Sequence, residues 1–288
     1  MNDRESTPLE RLWASHAESR RKPKVGLSLE QIVAAAIELA DEQGLGAVSM
    51  QRVAQRLGFT TMSLYRYVAS KDELLLLMQD TAWQPLDGLD VSGDTWRNNL
   101  ARWCLEQRLI LQRHPWLEHV RHIERAGTPS QLAWIDLGLR GLAATPLGEH
   151  EKVAILLVLS GYVFSEALQD AAVADGVRAG LFEPGESTAA FGKLLQELNL
   201  GQQFPALYEA VAGGAFAPTG TDAFTDFDFG LGLILDGVEC FIKRRIAEAR
   251  QEKQATPQHR RWCALTVQKC TDGRARTLGR SGARVTHA

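Results

Sequence analysis

Apolar positions along this chain recur at helical spacing, and no segment alternates like a half-buried strand, so the pattern predicts an all-α protein. Ser28-Leu29-Glu30-Gln31 has the form of a capping box, after which Ile32, Val33, Ile37 and Ala40 share one face until Gly44 and Gly46 stop the helix. Ser49 caps a second helix carrying Met50, Val53, Ala54 and Leu57, closed by Gly58. Thr60 caps a third, expected over Thr61 to Val68, and Ser70-Lys71-Asp72-Glu73 opens a Leu-rich helix over 74 to 83. Beyond Pro85 a linker, Leu86 to Gly93, leads to longer helices. The first bears Trp96, Leu100, Trp103 and Ile110 and breaks at His114-Pro115; the next begins over Trp116 to Ile123. Others are expected over Ser130 to Ala144, Glu149 to Ala174, Glu186 to Leu198, Phe204 to Val211 and Phe224 to Ala249. The division predicted is a flexible basic arm (1–27), a small three-helix domain (28–84), a larger all-α domain (94–250) and a disordered basic tail (251–288).

Composition narrows the class. With 45% hydrophobic and 23% charged residues in 288, wholesale disorder is excluded. The longest nearly unbroken apolar run, Val153 to Phe164, is short for a bilayer crossing, so no membrane span is expected. The first residues lack the apolar core of a secretory signal, which predicts a cytoplasmic chain. Cys104, Cys240, Cys263 and Cys270 form no CxxC pair, so single thiols are expected. The net charge of −3 is segregated: +2 over residues 1–27, −3 over 28–84, −8 over 85–250 and +6 over 251–288. Any nucleic-acid contact must therefore come from a local patch.

The segment SMQRVAQRLGFTTMSLYRYVASK, Ser49 to Lys71, has the parts of a helix-turn-helix: a short bracing helix, a turn glycine and a second helix with polar residues at its start. Thr60, Thr61 and Ser63 offer hydroxyls to bases or phosphates, Met62 an apolar contact for a thymine methyl, and Tyr65 and Tyr67 reach for phosphate oxygens. By pattern alone, an amphipathic hairpin with a solvated face fits equally well. Residues 28 to 78, however, closely resemble the DNA-binding domain of the TetR family of bacterial transcriptional regulators. The carrying residues are Ile32 to Ala36, Gly44, Ser49-Met50, Val53-Ala54, Leu57-Gly58, and Ser63-Leu64-Tyr65-Arg66-Tyr67 followed by Lys71. The resemblance implies a recognition helix starting near Thr60, phosphate contacts from Ser49, Tyr65, Tyr67 and Lys71, and a base contact from Gln51. Tyr67 stands where many relatives carry histidine.

The larger domain is similar to the ligand-binding domains of the tetracycline-repressor subgroup, through Arg113-His114-Pro115-Trp116-Leu117, the Trp134 to Leu142 segment, and Phe227 to Gly230 leading into Leu235-Asp236-Gly237. The resemblance implies regulation by a small molecule and a homodimer seam built from Glu149 to Ala174 and Phe224 to Ala249, with Gly161, Gly230, Gly232 and Gly237 permitting close approach; glycines easing packing within one chain are the alternative. Trp96, Trp103, Trp116 and Trp134 are candidates for an apolar pocket between the helices starting near Trp96, Trp116, Ser130 and Glu149, or for simple core. Trp103, Gln107, Trp134 and Phe164 are the preferred lining of a site for a hydrophobic or aromatic effector. His114, His119 and His122, with Glu118 and Glu124, could serve a metal, but their spacing is not that of a metalloprotease, and no metal or cofactor is expected. Nucleophile-elbow and phosphate-loop motifs are absent; Gly192-Lys193 lacks the flanking residues, Gly230 and Gly232 sit in a helical run, and the acids of Asp222 to Asp228 suit a helix start. The expected function is a ligand-released repressor that binds a palindromic operator as a homodimer, the alternatives being a DNA-binding protein without an effector and a helical metal-dependent enzyme. The basic run Arg20 to Lys24 is either a DNA-clasping arm or a solvated charge run.

Overall fold

The computed structural model describes residues 7–18, 26–85, 89–91, 95–119, 127–181, 183, 186–198, 203–216 and 227–251. Among them there is no strand, and the all-α expectation holds. The helices are α1 (Pro8–Glu18), α2 (Leu29–Gln43), α3 (Met50–Leu57), α4 (Thr61–Leu64), α5 (Lys71–Ala82), α6 (Trp96–Arg113), α7 (Pro129–Gly141), α8 (Glu149–Arg178), α9 (Ser187–Glu197) and α10 (Pro205–Ala212). A last helix, α11, covers residues 227–251. The chain forms two compact units, Met1–Leu235 and Asp236–Ala288; of the second, only the helical residues 236–251 are described.

Caps account for most helix starts. Ser28 and Gln31 form a reciprocal capping box on α2, and Ser49, Thr60, Ser70, Thr95 and Thr128 each accept a backbone N–H from the first turn they precede. At Ser70 the box is not reciprocal: the Glu73 carboxylate instead takes the Ala69 N–H at 2.6 Å and the Arg11 guanidinium at 2.5 Å.

Three expectations are corrected. The arm over residues 1–27 is not wholly flexible, because Pro8–Glu18 is a helix held by a Thr7–Glu10 capping box, with Leu12 buried, Arg11 on Glu73 and Trp13 Nε1 donating to Gly127 O at 2.9 Å. The helix expected over Thr61 to Val68 stops at Leu64, since a turn over residues 65–67 suffices to return Val68 to the core. In place of a helix from Trp116 there is a 3-10 turn, Pro115–His119. Residues 120–126, the basic run Arg20 to Lys24, the linker at 86–88 and 92–93, Asp222 to Asp226 and the tail 252–288 lie outside the described residues.

α2, α3, α4 and the first half of α5 enclose a small core in which Ile32, Ala36, Val53, Leu64, Val68, Leu74 and Met78 are fully buried. α5 then continues between this head and the larger bundle. Glu73, Leu74 and Leu76 to Asp80 are all buried, so α5 lacks the solvated face of a surface helix. It packs against α1 and α2 on one side and α7 on the other, while α6, α7 and α8 pack together beyond it. Head and bundle thus lie within one compact unit, Met1–Leu235. By length and composition α8, with mean hydropathy 1.4 over its most apolar stretch, is the one described helix that fits a bilayer crossing; the run-length criterion that stopped at Phe164 missed it. Its Leu156, Leu159, Val163 and Ala167 are buried, whereas Leu157, Val158 and Leu168 are exposed.

Candidate nucleic-acid interface and bundle cavity

Gly58 makes the turn between α3 and α4. Its φ of 74° and ψ of 25° lie in the left-handed region, where any side chain is strained. α3 is held on α2 by its two arginines. Arg56 forks onto Glu42 at 2.8 and 2.5 Å, a bond that holds the Glu42 carboxyl below its ordinary range, and Arg52 donates to Gln43 Oε1 and Ala47 O. These cations therefore brace the head. Arg66 and Lys71 are exposed and form no ion pair among the described residues, which makes them the charges available to an anionic partner.

Gln51, Thr60, Met62, Tyr65, Tyr67 and Lys71 are exposed, Met62 at 74%; Ser49, Thr61 and Ser63 are half-buried. An exposed methionine and two exposed tyrosines within six residues are unusual for a surface that only meets water. Ser49 and Thr60 use an oxygen lone pair on the Arg52 and Ser63 N–H groups, and a hydroxyl so used can still donate its proton to a phosphate. Two exposed neighbours, Phe59 and Arg66, were not singled out in the sequence, although Arg66 lies inside the motif that was.

The bundle contains a partly open cavity of about 340 Å³, whose lining includes the exposed Val153 and Leu157. Trp103, Gln107, Trp134 and Phe164 all line it, brought together from α6, α7 and α8. Trp83, the residue capping α5, completes the aromatic wall, its ring stacked on Phe164 at 5.5 Å between centroids. Trp103 Nε1 donates to Trp134 O at 2.9 Å, and Trp134 Nε1 donates to Trp83 O at 2.7 Å. The wall is thus tied by hydrogen bonds to the C-terminal end of α5. Trp83 and Gln131 were missed because a tryptophan ending a Leu-rich helix reads as core and a glutamine in a first turn reads as a cap.

The expectation that Trp96, Trp116 and the helix after Pro115 help to form the pocket is corrected. Neither tryptophan lines the cavity, and Trp116 instead donates to Asp41 of α2 at 2.7 Å. Asp41 also meets His114 Nδ1, at 2.8 Å. His119 borders an open groove with Lys71 and Leu75, His122 and Glu124 lie outside the described residues, and no metal-binding group of three side chains occurs among the described ones. Cys104 and Cys240 are free thiols; burial pushes Cys104 up to about 12, so it is no nucleophile at neutral pH. Cys263 and Cys270 lie outside the described residues. Of the glycines in the expected seam, Gly230 receives the Tyr162 ring of the same chain, and Gly161, Gly232 and Gly237 face open space.

Residues 32–78 match the model of the bacterial regulatory proteins, tetR family, and residues 90–242 that of the tetracyclin repressor-like C-terminal domain. Over 242 residues the chain is 33% identical to the HTH-type transcriptional repressor DrrR1 of Streptomyces coeruleorubidus, covering 84% of this chain and 88% of that protein. A possible TetR family transcriptional regulator from Streptomyces coelicolor A3(2) is 26% identical with a TM-score of 0.55, over 74% of this chain and 98% of that one. ActR from Streptomyces coelicolor, solved in complex with actinorhodin, shares the fold at a TM-score of 0.60 and 24% identity, over 76% of this chain and 98% of that one.

Proposed function

The chain belongs to the TetR family of bacterial transcriptional regulators, and on that premise we propose that it is a cytoplasmic repressor released from its operator by a small hydrophobic or aromatic effector. In this reading the head, residues 28–84, binds double-stranded DNA. Thr61, Met62 and Gln51 meet base edges, while Ser49, Thr60, Ser63, Tyr65, Tyr67 and Lys71 position the head through phosphates and the groove wall. The bundle, residues 94–250, holds the effector against Trp103, Gln107, Trp134 and Phe164.

A second copy of the chain is part of the proposal. A palindrome needs two heads, with half-sites about 34 Å apart. Exposed Leu157, Val158 and Leu168 on α8 and Phe229 and Leu233 on α11 offer the apolar surface on which copies pair.

The observation that carries the reading is the double role of α5. The helix supplies Leu74 and Met78 to the core beneath the recognition segment, and its C-terminal carbonyl, on Trp83, is held by a tryptophan of the cavity wall. An occupant that displaces Trp134 or the Trp83 ring acts directly on the helix that carries the head. Release then requires only that the effector bind the DNA-incompetent arrangement more tightly than the competent one. An effector-free repressor calls for a filled core, and a cavity of about 340 Å³ favours the ligand-responsive reading.

The test is operator selection from random duplexes followed by fluorescence anisotropy. Lys71→Ala is expected to weaken binding to every sequence alike and to flatten the salt dependence, whereas Thr61→Ala is expected to alter base preference. A folded Thr61→Ala, Tyr65→Ala double variant with unchanged affinity and preference would overturn the recognition assignment.

A further inference from the structure

The polar groups that border the cavity are few, and most are already committed. Among the described residues no charged side chain lines it; its polar side chains, apart from the three indoles, are Gln107, Gln131 and Ser160. The indole N–H groups of Trp103 and Trp134 are spent on backbone carbonyls. Gln107, 2% exposed, donates its Nε2 to Trp103 O at 3.2 Å, which leaves Oε1, an acceptor, for an occupant. Gln131 is oriented the other way: its Oε1 accepts the Gly127 N–H at 3.0 Å, leaving Nε2 as a donor. The flat faces come from Trp83 and Phe164, 26° apart, and from Trp103 and Trp134, which meet edge to face. Roughly twice the volume that encloses one benzene gives room for two or three fused rings.

We propose that the cavity selects an uncharged, planar, fused-ring aromatic molecule bearing a hydrogen-bond donor on one edge, read by Gln107 Oε1, and a carbonyl-type acceptor on another, read by Gln131 Nε2. The inference rests on the effector reading above and adds the chemistry of the ligand and the two residues that read it. Charge is disfavoured because an ion seated against the aromatic wall gives up much of its hydration and finds no counter-ion among the lining side chains. Donor and acceptor are distinguished because the wrong group faces a like partner and leaves it buried and unpaired.

The experiment is calorimetric titration of the full-length protein with four ketones of one shape: 2-hydroxy-9-fluorenone, 2-methoxy-9-fluorenone, 9-fluorenone-2-carboxamide and 9-fluorenone-2-carboxylate. The hydroxyl compound is expected to bind about tenfold more tightly than its methyl ether. The carboxamide is expected to exceed the carboxylate by on the order of a hundredfold or more. In Gln107→Leu the hydroxyl-to-ether ratio is expected to fall to about one, and in Gln131→Leu the preference for 9-fluorenone over fluorene, which lacks the carbonyl, is expected to vanish. These are ratios, so a general loosening of the wall does not imitate them, and the wild-type series stands even if a variant fails to fold. Equal binding of carboxamide and carboxylate, or no binding of any fluorenone, overturns the proposal. Binding in the expected order without release of operator DNA supports it and overturns the effector reading instead.

Discussion

Removing the Asp80 side chain tests whether α5 and the bundle are joined as described. Asp80 is 3% exposed and its Oδ1 receives two donors from Ser130: the backbone N–H at 2.9 Å and the hydroxyl, in a still shorter contact. Ser130 is the second residue of α7, where a backbone N–H has no partner within the helix, and it too is 3% exposed. Asp80→Ala thus strands two buried donors at a helix N-terminus. At about 1–3 kcal/mol for each stranded donor, with some overlap because both belong to one residue, the loss is about 3–4 kcal/mol. That is a large part of the stability of an ordinary domain and corresponds to a fall in Tm of roughly 10 °C. The assay is urea and thermal unfolding at fixed protein concentration. Asp80→Asn, which keeps one oxygen, is expected to lose about half as much, and Asp136→Ala, at an exposed ion pair with Arg140, to change stability by less than about 0.5 kcal/mol. The Asp80→Ala, Ser130→Ala double variant is expected to be less destabilised than the two single losses added together. An Asp80→Ala protein within about 1 kcal/mol of the parent, or a cycle with no interaction energy, refutes the tie.

Two further outcomes follow from buried polar groups. Glu118, whose Oε2 is buried without a partner among the described residues, is pushed up to about 7 by burial first and then by Asp170 and Asp175. The folded state therefore holds this proton more tightly than the unfolded chain, so its contribution to stability, complete below the ordinary value near 4.5, is lost as pH rises through about 7; unfolding curves of Glu118→Gln across that range are expected to show a flatter pH dependence. Gln79 is 1% exposed and neither amide atom has a partner among the described residues, so Gln79→Met, similar in length and apolar, is expected to raise stability by about 1–2 kcal/mol in urea unfolding, and a loss of stability refutes that account.

Most of the head was legible in the sequence because its caps are local. Ser28, Ser49, Thr60 and Ser70 each bond within three residues, and no distant contact is needed to place them. α1 was obscured for a different reason: the charge over residues 1–27 drew attention from Thr7-Pro8-Leu9-Glu10, which carries a capping box with proline at the first helical position. The overlong third helix arose because Leu64 and Val68 satisfy helical periodicity equally well through one helical turn and a following loop. In the bundle, Trp103 and Gln107 were preferred because they combine apolar surface with one amide, and their i, i+4 spacing on α6 is what brings them to the same wall. Trp116, open in the sequence between pocket and core, is buried outside the pocket, because its partner, Asp41, is 75 residues away and belongs to the head, a pairing no local pattern encodes.

The same long-range bonds explain how a cavity in the bundle bears on the head. Among the described residues, polar ties join the two from Asp41 to His114 and Trp116, from Asp80 to Ser130, and from the Trp83 carbonyl to Trp134. Of these, the third involves the cavity wall. The first two fix where α2 and α5 meet the bundle, and the third fixes how the end of α5 is turned, which makes it the bond an occupant can exchange for contacts of its own. One buried neutral hydrogen bond is worth about 0.5–1.5 kcal/mol net, so in the proposed dimer two such bonds supply about 1–3 kcal/mol. That range coincides with the coupling free energies by which effectors ordinarily alter a second affinity, about 5- to 150-fold. The tie is therefore weak enough to be broken by a small molecule and strong enough, counted twice, to empty an operator; the two stronger ties keep the head attached while it turns.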